Sequence, residues 1–221
     1  MIDYTLSGGE ALCPGRIGTE GRFVGLEPLD FGKHAEALWQ GLGGVENEDL
    51  WRYMRDGPFM DRAAFDAHLR TKAVSEDPLL FAIVDRGTGR AVGRAQLMRI
   101  DPPNRVIEVG GILYSRALQR SRGATEAMYL IARYVFEDLG YRRYEWKCNT
   151  LNEASRRAAL RLGFTFEGIF RQHMIVKGKS RDTAWFSMLD SEWPARKRRF
   201  ERWLDESNFD SEGRQRTRLN G

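Results

Sequence analysis

Between Gln119 and Ala127 the chain reads QRSRGATEA, a basic loop with a glycine, and then continues as MYLIARYVFEDLG. A loop of this kind opening a helix makes an anion site. The first turn of N–H groups has no intrahelical partner, and the aligned peptide dipoles place partial positive charge there. Phosphate suits such a site, and residues 105 to 115, RVIEVGGILYS, supply the strand-loop-helix order that gives a glycine loop this meaning. Further along, Asn152 to Phe164 has the spacing N-x-x-S-x-x-A-A-x-x-x-G-F, which sets an amide and a hydroxyl at a helix start. Glu108, on the strand leading to the loop, and His173, on the strand after the second helix, are groups able to take up a proton. Cys148 ends the strand YRRYEWKC without an evident His-plus-carboxylate set to activate it, and reads as a small buried residue. Cys13 lies far off in sequence, and two cysteines without repeated spacing make neither a disulfide framework nor a zinc site.

The elements that must position these groups follow from periodicity. Ala124, Ala127, Met128, Ile131, Val135 and Leu139 recur at helical spacing, so the helix turns an apolar stripe toward a sheet, and Gly140 closes it. YRRYEWKC then restarts a strand pattern through Tyr141, Tyr144 and Trp146. Asn152 to Leu162 is a second helix ended by Gly163, and FTFEGIFRQHMIVKGKSRDTAWFSML is two strands about the turn KGKS. Earlier in the chain GRFVGLEPL predicts a first strand, KHAEALWQGL, EDLWRYMR and RAAFDAHLRTKAV predict helices, and LLFAIVD and AVGRAQLMRI predict a hairpin through RGTGR.

Taken together, ATEA, the motif from Asn152 to Phe164, and Glu167 with Gly168 resemble the GNAT acyltransferase superfamily, and most closely its Rim-type branch, whose members acetylate protein N-termini and other amines. The resemblance is most specific from Glu108 to Trp193; before Pro78 it extends only to the general order of elements. It implies an α/β fold of the α+β type: a mixed, mostly antiparallel sheet of about seven strands with four helices, splayed so that the pantetheine arm of acetyl-CoA lies between two strands. It implies no metal.

The resemblance also carries residue roles. The family's loop reads Gln or Arg, two residues, Gly, one residue, then Gly or Ala. Aligning on ATEA puts Gln119 first, Arg122 at the first glycine position and Ala124 last; aligning on the glycine gives Arg120, Gly123 and Thr125. The ATEA frame is preferred, so a side chain stands where the family usually has none, and either Arg122 swings away to meet a CoA phosphate or the loop is shaped differently. The N–H groups of Arg122, Gly123, Ala124 and Thr125 are expected to hold the diphosphate, with Arg120 or Arg122 adding charge. Asn152 inherits the contact to the pantetheine amides, a task that competes with helix capping. Many family members have a Tyr seven residues after that Asn as proton donor to the departing thiolate. Here Ala159 stands there, and Ser155 takes the role, as in the Rim-type branch; its structural alternative is a capping or solvated hydroxyl.

The chemistry so implied is aminolysis of a thioester: an amine loses its proton, attacks the carbonyl and expels a thiolate. An α-amino group, with a reference pKa of about 7.7 to 8.0, needs a base less than a lysine ammonium at about 10.4. Glu108 is the first candidate base, against the alternative of a strand carboxylate paired with an arginine, and His173 is the second, against that of a packed strand histidine. A backbone N–H near Ile112, Leu113 and Tyr114, where the family's strand bulges, is expected to hold the oxyanion, and Gly110 and Gly111 suit such an irregularity. Trp39, Trp51, Tyr53, Met54 and Phe59 are either one wall of the acceptor site or core. Arg94 and Arg99 are positioned in sequence to meet a succinyl carboxylate if they face the pocket.

Composition sets the frame. At 221 residues, 42% hydrophobic and 30% charged, the chain is ordinary for a globular protein with one core, and it has no internal repeat. The expected organisation is one domain over residues 1–205 and a loose or partner-docked tail over 206–221, whose SNFDSEGRQRTRLNG is poor in apolar residues. The net charge of +4 suits an anionic cofactor, although from Ala195 on there are 8 basic and 5 acidic residues, a net of +3. RKRRFERW could touch nucleic acid or ribosomes, a solvated helix face being the plainer reading. No apolar stretch is long enough to span a bilayer, and MIDYTLSGGE lacks the regions of a secretory signal, so the expectation is a cytoplasmic protein, a homodimer, with a small-molecule or peptide amine as substrate. Two functions of different class fit: an active N-acetyltransferase, and a CoA-binding sensor or assembly module with little transfer.

Overall fold

The computed structural model describes residues 8–220. Most of MIDYTLSGGE, on which the leader argument rests, lies outside them. Eight strands form one sheet in the order β1-β2-β3-β4-β5-β6-β8-β7. They are β1 Thr19–Glu20, β2 Val24–Pro28, β3 Leu79–Asp85, β4 Ala91–Asp101, β5 Val106–Tyr114, β6 Arg143–Asn149, β7 Thr165–Val176 and β8 Lys179–Leu189. Among the described residues there are five α-helices: α1 Phe31–Leu42, α2 Arg62–Ala73, α3 Arg122–Arg133, α4 Glu153–Arg161 and α5 Trp193–Leu204. The strand beyond the expected seven is the two-residue β1, which pairs with β2 and has no hydrophobic alternation to announce it. The sheet is antiparallel except where β5 meets β6.

Two cores sandwich the sheet. Side chains on alternate positions of the central strands, among them Ile107, Val109, Tyr144, Trp146 and Phe186, pack under α3, α4 and α5. The opposite face of β3 and β4, with Leu80 and Ala82, packs under α1 and α2 through Leu38, Leu42, Phe65 and Leu69. Asp30 and Asp61 cap α1 and α2, each accepting an N–H of the first turn. The acid of the ATEA motif is structural: the Glu126 carboxylate accepts the N–H groups of Arg22, Phe23 and Val24 at 2.8, 2.6 and 2.9 Å, tying α3 to the β1–β2 turn.

Two sequence expectations are corrected. EDLWRYMR does not form an α-helix. Val45–Trp51 is a 3-10 stretch that ends in turns, and Pro58 follows. The Trp51 indole fixes its path by donating to the Leu42 carbonyl at 2.6 Å. Nor is the segment after Glu206 a loose tail. It turns back on the body, burying Phe209 and Leu219, while Asn208 accepts the Thr217 N–H at 2.8 Å and Asn220 reaches the Leu160 carbonyl of α4 at 2.9 Å. Few apolar residues suffice because the arm needs only two anchors. No helix among the described residues is long and apolar enough to cross a membrane.

Candidate active site

The sheet comes apart at its one parallel junction. β5 and β6 pair from Val106 with Arg143 to Val109 with Trp146 and then diverge, so that Gly110–Tyr114 and Lys147–Asn149 no longer face each other in register. On its other edge β5 stays joined to β4 through a bulge: Arg94 pairs with Leu113 and Gln96 with Gly110, which leaves Gly111 and Ile112 opposite Ala95 alone. Gly111 has φ +55, and a Cβ there would stand 2.5 Å from the Gln96 side chain. The expected irregularity at Gly110 and Gly111 is therefore present, and Ile112, Leu113 and Tyr114 run along the gap without pairing to β6, the Tyr114 carbonyl accepting instead from Gln119 Nε2 at 3.2 Å. Leu113 itself points into the α1–α2 core, and the Tyr114 hydroxyl, buried, lies 3.5 Å from the Ala124 carbonyl.

At the far end of the gap α3 begins. Ser121 caps it, accepting the Ala124 N–H at 3.1 Å, a signal in the sequence that the motif alignment passed over. The first-turn N–H groups of Arg122 and Gly123 are then the ones an anion would meet. Gly123 sits against β2, where a Cβ would come 2.8 Å from Val24 Cγ1. The Arg122 side chain lies across the rings of Phe23 and Phe209, at 5.1 and 4.4 Å. Thr125 is buried and its hydroxyl accepts from Arg161 at 3.1 Å. Arg120, exposed, takes a left-handed φ of 58 at the bend of the loop.

α4 starts beside the same gap. Asn152 caps it, its Oδ1 accepting the Ser155 N–H at 3.1 Å, which leaves its amide N–H groups free for another partner. The Ser155 hydroxyl accepts the Trp146 indole N–H at 3.0 Å. Cys148 is buried beside Ser155, and burial pushes its thiol up, away from the reactive thiolate form.

On the other face of the sheet stand Glu108 of β5, Arg143, Glu145 and Lys147 of β6 and, on β8, Arg181 with Thr183, Trp185 and Ser187. Glu108 is buried, with Lys147 Nζ at 3.0 Å and Arg99 Nε at 3.3 Å; Lys147 also lies 2.6 Å from Glu145 and 3.7 Å from the Trp185 ring centroid. Burial raises the Glu108 carboxyl above its ordinary value, against the pull of those cations, which makes it a stronger base than a surface glutamate. His173 reaches this face from a bulge in β7 and lies 3.0 Å from Thr183 Oγ1. Burial first, then the charges of Arg99, Arg181 and Lys147, lower it, keeping the ring neutral near neutral pH. Glu108 and His173 thus flank one charged patch, and Ser155 stands on the opposite side of β6.

Two expectations change here. Arg94 is not free to meet a ligand carboxylate: it is buried, 3.1 Å from Asp56 and 3.0 Å from His68, with the Trp51 ring 4.9 Å away. Burial alone would raise the Asp56 carboxyl, but His68 and Arg94 hold it well below the usual range. Arg99 is committed to Glu108. Of the aromatic set, Trp39, Trp51 and Phe59 pack edge-on around Phe65 and are core, while the Tyr53 hydroxyl donates to the Leu151 carbonyl at 3.0 Å, bridging the α1–α2 connection to the start of α4.

Residues 24–165 match the model of the acetyltransferase (GNAT) domain, more than half of the chain. The chain belongs to the GNAT acetyltransferase family. A crystal structure of a GCN5-related N-acetyltransferase from Brucella melitensis is 49% identical, superposes with a TM-score of 0.94 and covers 96% of each chain. A structure of RimL, a ribosomal L7/L12 alpha-N-protein acetyltransferase solved in complex with coenzyme A, shares the GNAT fold at a TM-score of 0.65 and 19% identity over 76% of this chain and 95% of that one. In sequence, the chain is 30% identical over 109 residues to the Bacillus subtilis (strain 168) protein named "Putative ribosomal N-acetyltransferase YdaF"; the match spans 49% of this chain and 59% of that relative. α5 and the C-terminal arm lie beyond the residues that match the GNAT model.

Proposed function

We propose that this GNAT protein transfers an acetyl group from acetyl-CoA to a primary amine, by direct attack of the amine on the thioester. The observation that carries the reading is the parting of β5 and β6 immediately beyond Glu108, with the capped start of α3 at one end of the gap and that of α4 beside it. The residues fit the nucleotide thioester. Two free N–H groups at the start of α3 suit its diphosphate, and the unpaired edges of Gly110–Tyr114 and Lys147–Asn149 with the Asn152 amide suit an arm that carries peptide-like groups. When bound, acetyl-CoA supplies the activated acyl group. Glu108 takes the amine's proton on the acceptor face, the N–H groups of the Ile112–Tyr114 stretch stand where charge develops on the carbonyl oxygen, and the Ser155 hydroxyl stands on the cofactor side to protonate the thiolate.

A protein or peptide N-terminus is the favoured acceptor class. The names of YdaF and RimL support it, and an α-amino group is the easier amine to deprotonate. The test is thiol release from acetyl-CoA with a panel of peptides and small amines, paired with calorimetry of CoA binding. Tight CoA binding, lost in Arg122→Glu because it replaces a positive charge by a negative one at the helix start that receives the diphosphate, and thiol release that depends on an amine are expected. CoA binding without amine-dependent release would make the protein a CoA-binding module instead; no CoA binding would overturn both readings.

A further inference from the structure

Arg181 is the cation that the mechanism above leaves unused. It lies on β8, paired with Met174 of β7, and alternation puts it on the same face as Thr183 and Trp185, the face of Lys147 and Glu108. Its Nε is buried and has no hydrogen-bond partner, and the guanidinium makes no ion pair among the described residues. The indole Nε1 of Trp185, two pairs along the same strand face, is likewise buried and unpartnered. The neighbouring acids pair with other cations: Glu108 and Glu145 share Lys147, although Glu108 Oε2 makes no hydrogen bond, and Asp56 holds Arg94 and His68. Burial lowers the Arg181 guanidinium and the like charge of Arg55 adds to it, while Cys148 and Glu108 oppose them without reversing the direction. A buried donor without a partner is destabilising, the more so when it is charged. Two such donors, both unable to accept, on the same sheet face as the candidate base call for a ligand that only accepts.

We propose that Arg181 and the Trp185 indole N–H form a carboxylate-recognition subsite, so that the enzyme acts on a substrate carrying a carboxylate close to the reacting centre. This rests on the acyltransferase reading. The same atoms could receive the carboxylate from either substrate, as an acidic amine acceptor or as an acyl group that itself ends in a carboxylate. Arg181 is then a specificity-determining residue for the reaction, with Lys147, stacked on the Trp185 ring, fixing the plane of the indole.

The experiment uses matched probes. Acceptors are paired so that they differ only in carboxylate against carboxamide: β-alanine with β-alaninamide, and Ser-Glu-Ala-Ala amide with Ser-Gln-Ala-Ala amide. Each is assayed by thiol release with acetyl-CoA and with succinyl-CoA, and by saturation-transfer NMR on CoA-loaded protein. The wild type is expected to prefer the carboxylate member by about tenfold or more, seen in KM, as a charged hydrogen bond is worth. Arg181→Gln should bring the pair to within about twofold, and Trp185→Phe, which keeps the ring and removes the N–H, should lower the preference without abolishing it. A preference confined to the acceptor pairs supports an acidic amine; one confined to succinyl- over acetyl-CoA supports an acidic acyl group. No preference on either side, or one that survives Arg181→Gln, overturns the proposal. Calorimetry of CoA separates this from the parent reading, which fails only if CoA does not bind or no amine is acylated.

Discussion

One face of β6 carries Tyr144, Trp146 and Cys148, and the other, one residue out of step, carries Arg143, Glu145 and Lys147. β8 repeats the division, with Ala184, Phe186 and Met188 against Trp185 and Ser187. The apolar face packs under α3, α4 and α5, and the one group assigned to the reaction that it touches is the Ser155 hydroxyl, held by the Trp146 indole at its edge. The charged face has no helix of its own and is held instead by ion pairs: Arg143 to Glu145 and Glu167 at 2.7 and 2.5 Å, and Lys147 to Glu108 and Glu145. Arg143 holds the Glu167 carboxyl down at about 2. One strand pair therefore supplies stability from one side and proton-handling groups from the other, and substitutions on the two faces should separate cleanly.

The largest expected effect is on the apolar side. Phe186 is 1% exposed and meets Phe166 edge-on, so Phe186→Ala should cost about 3–5 kcal/mol of unfolding free energy in denaturant, with activity per folded molecule little changed. A cost under about 1 kcal/mol would mean that this face is not where the sheet's stability resides.

Next in size is Glu108→Gln on the charged side. Loss of a general base should lower kcat by about 10²- to 10³-fold while calorimetry finds CoA binding intact, and His173→Gln should cost far less. The reverse order would move the base to His173. The pH dependence sharpens the point. Because burial holds the Glu108 carboxyl above 4.5, kcat/KM should fall on acidification through that raised value. Lys147→Met, which removes the strongest opposing charge, should move this acid limb to higher pH. Stability runs the other way. A carboxyl that binds its proton more tightly when folded contributes stability at low pH, and that contribution is lost as pH rises through the raised value. Acid that silences the site should not, through Glu108, unfold it.

The same contrast marks what was legible in the sequence. Period-two alternation gave β5, β6 and β8, the helical period gave α3, and the spacing of Asn152, Ser155 and Gly163 located α4, because each depends on a local repeat. The unlike faces of β6 could also be read, from Glu145 and Lys147 alternating with Tyr144 and Trp146. EDLWRYMR misled because its apolar residues pack as core while the backbone stays 3-10, a choice made by the contact of Trp51 with Leu42. The lining of the acceptor face was the least legible part. Arg94 and Arg181 look alike in sequence, yet Asp56 neutralises one, with His68 as a further hydrogen-bond partner, while the other has no ion pair among the described residues. That difference comes from the Trp51–Asp56 stretch folding over the β7–β8 hairpin, where Lys177 donates to the Trp51 carbonyl at 3.1 Å. Contacts between segments more than a hundred residues apart leave no local signature.

The smallest predicted effect tests the boundary between the two faces. Ser155 stands on the cofactor side, yet its hydroxyl is already engaged by the Trp146 indole, so one oxygen serves packing and chemistry at once. Ser155→Ala should slow turnover by about tenfold and leave CoA affinity within about twofold, since proton donation to a thiolate, itself a good leaving group, is worth less than removal of the amine's proton. The variant also strands a buried N–H, so a slower rate alone could come from distortion. Trp146→Phe removes that donor while keeping Ser155, and the cycle of both changes separates the roles. If Ser155 only satisfies the indole, Ser155→Ala should cost nothing further in the Trp146→Phe background. If it protonates the departing thiolate, its cost in turnover should persist there undiminished, while its cost in stability disappears.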